Sequence, residues 1–338
     1  MEATILEIQR MSTEDGPGLR TTVFFKGCSL KCAWCQNPES ISMQPQVQWI
    51  GSNCIGCGIC MDVCPNKALN LTPDGMQIDR KRCDGCGECT RECPAKAMEL
   101  LGRRWQAHDL ITELVKDRSY FEASGGGITA SGGEPMMQAV FMAELFKGLK
   151  DSGIHTALDT CGQYPWVSME KILPYTDMVL FDLKEIDPDR HKAFAGVDNH
   201  LIHENLVRLG KYIRNKPIAL WVRTPIIPGA TDTGNNIRGI GRFIAENLGD
   251  TVEHWELCAF NNLCRDKYVR LGLEWPYAET SLLTSGRMEE LAGIAKESGV
   301  DRDIVQWSGL TQSQGDAHAS EIQADKPVLH VVNACSMP

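Results

Sequence analysis

The chain has 338 residues, of which 43% are hydrophobic and 23% are charged, and its formal net charge is −10. This length allows one large α/β domain with a small additional module, and the acidic charge argues against general binding to nucleic acid or to an anionic membrane. No apolar run reaches the roughly 18 residues of a membrane span, and the first residues lack the basic and apolar parts of a signal peptide. The 15 cysteines are clustered, which favours metal thiolates in a reducing compartment over disulfides, so we expect a cytoplasmic protein.

The first feature along the chain is a group of three cysteines behind a predicted strand. A short strand around residues 5–8 and a Gly-Pro turn at 15–18 precede the β-rich run 21–25. Cys28, Cys32 and Cys35 follow, with three and then two residues between them. Three thiolates can hold three irons of a 4Fe–4S cluster and leave the fourth iron open to another ligand. The alternatives are a zinc knuckle or three ordinary buried cysteines. Zinc would need a fourth Cys or His nearby, and none follows Cys35 before Cys54.

Two longer cysteine runs form an internal repeat. Cys54-x2-Cys57-x2-Cys60-x3-Cys64-Pro65 is followed by Cys83-x2-Cys86-x2-Cys89-x3-Cys93-Pro94. This spacing is that of bacterial two-cluster ferredoxins, in which the fourth cysteine of each run ligates the other cluster. The prediction is therefore one cluster on Cys54, Cys57, Cys60 and Cys93, and a second on Cys83, Cys86, Cys89 and Cys64. Two zinc knuckles are the alternative, but this spacing before a proline is not a zinc spacing. Because four thiolates close each cluster, the runs indicate electron carriers or a structural module.

Beyond these runs, helical and extended patterns alternate. Apolar residues predict strands near 127–130, 156–158, 178–181, 218–222 and 254–257, and helices near 110–115, 140–149, 165–173, 203–214, 236–247 and 287–298. With the strand at 21–25 this makes six strand and helix pairs, which predicts an α/β fold with a parallel sheet. A late strand at 303–307 would extend that sheet.

Polar residues directly follow several of the predicted strands. In α/β barrels the chemistry sits at the carboxyl ends of the strands, so these residues are candidate site residues. They are Ser131-Gly132-Gly133-Glu134, Asp159-Thr160, Asp182-Leu183-Lys184 and Arg223.

Two motifs carry a resemblance to a known family. The Cys28, Cys32 and Cys35 spacing, with Trp34 just before the third cysteine, resembles the signature of the radical S-adenosylmethionine (SAM) superfamily. The upstream Asp15-Gly16-Pro17-Gly18-Leu19-Arg20-Thr21 resembles the activating enzymes of glycyl radical enzymes. The resemblance implies a partial (β/α)6 barrel in residues 1–49 and 105–310, a ferredoxin-like insert with two 4Fe–4S clusters in residues 50–104, and a polar tail in residues 311–338. It also implies that the turn at 15–18 lies beside the bound target peptide.

The same resemblance assigns roles to single residues. The cofactor-binding set that it implies is Trp34, Cys35, Gln36, Gly132, Gly133, Glu134, Asp159, Asp182, Leu183, Lys184, Arg223 and Asn236. Within that set, Lys184 and Arg223 join the three cysteines of the open cluster as catalytic residues. The resemblance also implies a monovalent cation site on Asp159, Thr160 and Asp182, and Asn236 is equally well explained as a helix cap. Cys161, Cys258, Cys264 and Cys335 lack partner spacing, so we expect them to be core or surface thiols. Where the family often has Pro-Tyr-His after the sixth strand, this chain has Cys258-Ala259-Phe260-Asn261.

The function that the resemblance implies is the activation of a partner enzyme. Reductive cleavage of SAM would give a 5′-deoxyadenosyl radical, which would abstract a hydrogen atom from a specific glycine in the C-terminal loop of a glycyl radical enzyme. This anaerobic oxidoreductase would carry three 4Fe–4S clusters, act as a monomer and receive electrons from a flavodoxin or a ferredoxin. Two alternatives stay open: a radical SAM enzyme acting on another peptide or a small molecule, and an electron-transfer iron–sulfur protein without SAM chemistry. The sequence does not choose among dehydratase, lyase, decarboxylase and succinate-adding partners.

Overall fold

The computed structural model describes residues 1–312, so most of the predicted tail lies outside the described residues. The strands are β1 (Glu2–Ser12), β2 (Arg20–Phe25), β3 (Gln46–Trp49), β4 (Leu69–Thr72), β5 (Gly75–Ile78), β6 (Met98–Leu101), β7 (Arg103–Gln106), β8 (Gly127–Gly132), β9 (Thr156–Thr160), β10 (Met178–Asp182), β11 (Ala219–Ile226), β12 (His254–Ala259) and β13 (Val305–Ser308). The α-helices are α1 (Ile59–Asp62), α2 (Glu88–Arg91), α3 (Ala107–Leu114), α4 (Arg118–Ser124), α5 (Ala139–Asp151), α6 (Trp166–Ile172), α7 (Pro188–Ala195), α8 (His200–Ile213), α9 (Gly234–Asn247), α10 (Arg265–Leu271) and α11 (Ser285–Lys296).

Nine strands form the main sheet, in the order β13-β12-β11-β10-β9-β8-β2-β1-β7. From β2 through β8 to β13 every neighbouring pair is parallel, while β1 runs antiparallel to both β2 and β7. The six predicted strand and helix pairs are confirmed, and the late strand extends the parallel sheet as predicted. Within the described residues the two edge strands, β7 and β13, do not pair with each other, so the barrel stays open on one side.

Apolar periodicity places the core between the sheet and its helices. The face of the parallel strands that points to the helices carries side chains such as Val23, Ile128 and Val222, each fully buried. Helix α5 places Phe141, Leu145 and other apolar residues on the same face, as expected for a helix that packs along one apolar stripe. The opposite face of the strands lines the barrel interior, where the polar candidate residues lie.

The two cysteine runs fold as a small module with its own sheet. Strand β3 pairs antiparallel with β6, and β4 and β5 form a hairpin. Val47, Met98 and Ala97 form the centre of the module's core, together with cysteines of both runs. The Arg80 guanidinium donates to the carbonyl of Arg270 at 3.0 Å, which links the module to α10 of the barrel.

None of the helices in residues 1–312 is both long enough and apolar enough to cross a membrane.

Candidate active site

The three clustered cysteines lie in a loop, residues 27–35, at the carboxyl end of β2; we call it the cluster loop. Backbone hydrogen bonds join it to two other segments, the helical turn that ends at Ser40 and the last residues of α7. Gly27 N donates to Ser40 O at 2.7 Å, Lys31 N donates to Ala195 O at 2.9 Å, and Ala33 N donates to Phe194 O at 2.9 Å. The loop is therefore held by main-chain contacts that do not depend on its cysteine side chains.

Contacts from the last part of the barrel complete this support. The Gln36 side-chain amide donates to Asn261 O at 2.9 Å, and the Tyr268 hydroxyl donates to Cys35 O at 3.0 Å. Asn261 belongs to the segment that replaces the family's Pro-Tyr-His, so that segment supports the loop through its backbone. Burial raises the pKa of Cys32 to about 11 and that of Cys35 to about 12. At neutral pH these sulfurs would therefore be thiols, unless a metal stabilised the thiolate.

Trp34, a residue of the cluster loop, packs against a group of aromatic side chains. Its ring is 5% exposed, and its centroid is 6.0 Å from that of Phe194 and 6.5 Å from that of Tyr277. This packing holds the indole in place, and Trp34 lies between Cys32 and Cys35 in the sequence. Contact between Trp34 and an adenine stays a prediction.

The Gly132-Gly133-Glu134 turn packs against the start of the cluster loop. Gly133 N donates to Phe25 O at 2.9 Å, and Glu134 N donates to Gly27 O at 2.7 Å. A Cβ on Gly133 would lie 2.2 Å from Gly27 O, and Gly132 has a φ of +108° that side chains other than glycine rarely adopt. The two glycines thus allow the end of β8 to approach the cluster loop closely. This packing explains why glycine is needed at both positions, without reference to a cofactor.

The Glu134 carboxylate is fully buried and receives hydrogen bonds from two loops. Thr160 Oγ1 donates to it at 2.8 Å, Cys161 N at 2.8 Å and Met136 N at 3.0 Å. Burial, the largest effect, raises its pKa. Glu134 therefore joins the ends of β8 and β9, and its oxygens are occupied by donors of this chain.

Four charged side chains from three neighbouring strand ends form what we call the charge row: Asp159, Arg223, Asp182 and Lys184. The Arg223 guanidinium donates to Asp159, and its Nε lies 3.5 Å from Asp182 Oδ1. Lys184 Nζ donates to Asp182 Oδ2 at 2.5 Å, and the Ser131 hydroxyl donates to Asp159 at 2.6 Å. The row alternates in sign and is half-buried to buried, so each charge has an opposite neighbour.

The pKa shifts follow from this alternation. Burial raises the pKa of Asp159, which the Arg223 guanidinium offsets only in part. Burial also acts to raise the pKa of Asp182, but the ammonium of Lys184 and the guanidinium of Arg223 outweigh it and lower that pKa. Burial acts to lower the pKa of the Lys184 ammonium, but the Asp182 carboxylate and the nearby sulfurs of Cys32 and Cys161 together outweigh it and raise that pKa. Lys184 and Arg223 are therefore permanent cations beside the cluster loop.

Two further candidates from the sequence, Asn236 and Leu183, form hydrogen bonds with the backbone of neighbouring segments. The Asn236 side chain is 2% exposed, accepts a hydrogen bond from Ile186 N at 2.8 Å and donates to Lys184 O at 3.1 Å. The alternative that Asn236 caps its helix is wrong, because the Thr233 side chain accepts from Asn236 N as the N-cap of α9. Leu183 is buried, and its N donates to Arg223 O at 2.9 Å. Direct contact of Asn236 or Leu183 with a cofactor stays a prediction.

Two thiols that the sequence analysis assigned to the core or the surface, Cys161 and Cys264, are buried, but the sequence did not predict that they lie beside the cluster loop. Cys161 is 6% exposed, and its Sγ lies 3.8 Å from Ser29 Oγ inside the loop. The Cys264 thiol donates to Cys35 O at 3.7 Å. Cys161 directly follows β9, so the rule that selected Asp159 would also have selected it; its lack of cysteine partners in the sequence hid the signal.

The two cysteine runs line two separate cavities in the small module. The first cavity is lined by Cys54, Cys57, Cys60 and Cys93. The second is lined by Cys64, Cys83, Cys86 and Cys89. In each cavity three cysteines of one run meet the fourth cysteine of the other run. Four sulfurs around one shared space suit a 4Fe–4S cluster.

An open α/β barrel with a three-cysteine loop after its first parallel strand and cations at the neighbouring strand ends defines a radical SAM enzyme. The model of the radical SAM superfamily matches residues 80–235, and the model of the 4Fe–4S dicluster domain matches residues 53–97. A solved radical SAM methyltransferase from Sphaerobacter thermophilus aligns with a TM-score of 0.52 at 14% identity, covering 92% of this chain and 78% of that one, which shows the fold alone.

Curated relatives place the chain more narrowly. It is 39% identical over 278 residues to the (2S)-3-sulfopropanediol dehydratase activating enzyme of Klebsiella oxytoca, an alignment that covers 81% of this chain and 86% of the relative. It is 35% identical over 305 residues to the trans-4-hydroxy-L-proline dehydratase activating enzyme of Clostridioides difficile, covering 90% and 99%. The chain belongs to the activating enzymes of glycyl radical enzymes. The family assignment made from the sequence is confirmed, and with it an oxidoreductase that uses SAM and iron–sulfur chemistry.

Proposed function

We propose that this chain generates the glycyl radical of a partner enzyme, with one 4Fe–4S cluster on Cys28, Cys32 and Cys35 that binds SAM through its open iron. The observation that carries the proposal is the position of the charge row beside the cluster loop. Asp159 accepts from Ser131, which directly precedes the Gly132-Gly133-Glu134 turn that packs on that loop, and the charge of Lys184 acts on the Cys32 thiol. Lys184 and Arg223 are cations suited to a carboxylate, and Asp159 and Asp182 are acceptors suited to an ammonium group. The amino acid part of SAM presents both groups.

When bound, the cluster and SAM would use one electron from an external donor to supply a carbon-centred oxidant for a hydrogen atom of the partner's glycine, with methionine and 5′-deoxyadenosine as products. The protein's residues bind and orient the reactants and keep water out. The charge row orients the amino acid part of SAM. The Gly132-Gly133-Glu134 turn holds the cluster loop in place, and the packing of Trp34 makes that loop more rigid. The open side of the barrel gives the partner's glycine loop a path to the site.

A monovalent cation on Asp159, Thr160 and Asp182 receives less support from these contacts. The Thr160 hydroxyl donates to Glu134, and both aspartates contact Arg223. The guanidinium already supplies positive charge between the two carboxylates, so the geometry favours a row completed by Arg223.

The small module supplies two further 4Fe–4S clusters, one for each four-cysteine cavity, and these relay electrons to the site cluster. Cys57 and Cys86 are the exposed ligands of the two cavities, where a flavodoxin or ferredoxin donor could approach. The chain acts as a monomer, and the reaction takes place in the cytoplasm, because reduced clusters need a reducing compartment.

The SAM chemistry is tested by anaerobic incubation of the reconstituted chain with SAM and a chemical reductant. We expect 5′-deoxyadenosine from the native chain and none from a variant with Cys28, Cys32 and Cys35 replaced by alanine. Adding a glycyl radical enzyme that is a partner of this chain should then give a glycyl radical signal in EPR. A native chain that holds its site cluster but forms no deoxyadenosine would contradict the proposal.

The relay is tested separately with Cys57→Ala and Cys86→Ala. Both variants should bind SAM with native affinity but turn over slowly when a flavodoxin or ferredoxin supplies the electrons. Native turnover with these donors would reject the relay and favour a structural role for the module.

A further inference from the structure

The two cavities of the small module differ in one respect that their cysteine pattern does not predict. Trp49, the last residue of β3, lines the first cavity together with Cys54, Cys57, Cys60 and Cys93. No tryptophan lines the second cavity, whose walls include Val47 and the acidic Asp84. The two cysteine runs therefore supply four cysteines to each cavity, but the other residues that line the two cavities differ.

The Trp49 side chain is fixed in place by backbone on one side. A Cβ on Gly75 would lie 2.7 Å from Cζ3 of the indole, and a Cβ on Gly51 would lie 2.9 Å from Cη2. Both contacts are to the outer edge of the six-membered ring. The Nε1 atom belongs to the five-membered ring at the other end, so the glycines hold the indole without engaging its N–H.

That N–H is buried and has no hydrogen-bond acceptor among residues 1–312. Tryptophan is a donor only, and a buried donor without an acceptor costs free energy that a native structure rarely tolerates. Gly51 and Gly75, which face the six-membered ring, line a separate surface groove with Trp49. Trp49 also lines the cavity formed by four cysteines, and we place its five-membered ring on that side. A cluster in that space would bring sulfur atoms, which accept hydrogen bonds, next to the unsatisfied donor.

We propose that Trp49 donates its indole N–H to a sulfur of the cluster in the first cavity and makes this cluster the more easily reduced of the two. This inference rests on the proposal that the module holds two clusters. Reduction adds negative charge to the cluster, so a donor beside its sulfurs stabilises the reduced form and raises the reduction potential. The Asp84 carboxylate beside the second cavity acts in the opposite direction on its cluster. The two differences add, and an electron that enters the module comes to rest on the Trp49 cluster.

The test uses the full chain with Cys28, Cys32 and Cys35 replaced by alanine, so that only the two module clusters carry spin. The chain is labelled with indole-15N tryptophan and partly reduced under anaerobic conditions, and pulsed EPR then detects nitrogen nuclei close to the reduced cluster. We expect a 15N coupling with native Trp49 and none in Trp49→Phe, which keeps an aromatic ring without a donor. Trp105→Phe, on β7, is the matched control and should keep the coupling.

Redox titration gives a second readout on the same proteins. We expect Trp49→Phe to move the midpoint potential of one cluster to a more negative value while the other stays in place. A tenfold change in the reduction equilibrium would correspond to about 59 mV for one electron. If Trp49→Phe fails to take up its cluster, the coupling in the labelled chain with native Trp49 still decides.

The unfavourable results are distinct from failure of the proposed function. A module that contains no iron would overturn the proposal that the module holds two clusters and, with it, this inference. A module with both clusters but no 15N coupling, a coupling that persists in Trp49→Phe, or unchanged potentials in that variant would overturn this inference alone.

Discussion

Replacing Glu134 by alanine tests whether this residue supports the site or binds the cofactor. The change removes the side-chain oxygens that accept from Met136 N and Cys161 N in a fully buried position. A buried donor left without an acceptor costs about 1–3 kcal/mol, so the two N–H groups together should lower the free energy of unfolding by about 2–6 kcal/mol. The Thr160 hydroxyl can rotate to another acceptor and is left out of this sum. Glu134→Gln keeps one acceptor oxygen and should lose about half as much.

The assay is anaerobic urea denaturation of the cluster-free chain, combined with SAM calorimetry on reconstituted protein. Glu122→Ala, an exposed glutamate on α4, is the matched control and should change neither quantity. We expect Glu134→Ala to lose stability and site-cluster iron together. Native stability combined with a strongly reduced SAM affinity would refute the scaffold role and return Glu134 to the cofactor-binding residues.

Three further changes test other parts of the site. Arg223→Lys replaces a planar fork by one ammonium that cannot serve both aspartates of the charge row, so SAM affinity in calorimetry should fall about tenfold; native affinity would contradict this. Gly133→Ala places a Cβ 2.2 Å from the cluster loop and should lower the iron content of the site cluster, whereas Gly293→Ala, where a Cβ meets nothing within 4 Å, should not. Burial lowers the pKa of His203 to about 4 from an ordinary value of about 6.5, so the unfolded chain binds the proton more readily between these pH values. The free energy of unfolding should therefore decrease as pH falls from about 6.5 to about 4, and less steeply in His203→Gln; equal slopes would contradict the assignment.

The parallel strands could be predicted because apolar runs flanked by polar residues mark strands covered by helices on one face. Their ends were harder to place. The prediction ended one strand at residue 222, but β11 continues to Ile226 through Pro225. The pairing of β10 with β11 ends at Arg223, whereas the pairing with β12 continues to Ile226, so the missing N–H of Pro225 falls beyond the β10 ladder. The position of Pro225 relative to its neighbours becomes clear only from the register of β10, β11 and β12, which the sequence does not give.

Short polar strands escaped prediction for a different reason. Strand β7, with the sequence Arg-Arg-Trp-Gln, has no alternating apolar face and exists because it pairs with β1 at the edge of the sheet. The roles of Glu134 and Asn236 likewise depend on partners about 26 and 50 residues away in the chain. A motif identifies such residues but does not say whether their polar atoms face a ligand or the protein's own backbone.

The site consists of two parts that respond differently to mutation. The cluster loop is held by backbone contacts and by the Gly132-Gly133-Glu134 turn, none of which involves the charge row. The charge row contains two cations and two carboxylates, so the loss of Arg223 or Lys184 leaves it with a net negative charge that repels a carboxylate. Changes in the row should therefore weaken SAM binding while the cluster loop keeps its iron. Changes at Gly133 or Glu134 should lower the iron content of the cluster loop and, because SAM binds through that iron, SAM affinity with it. A loss of iron in the Arg223 or Lys184 variants would contradict the separation and indicate a single unit in which both quantities fall together.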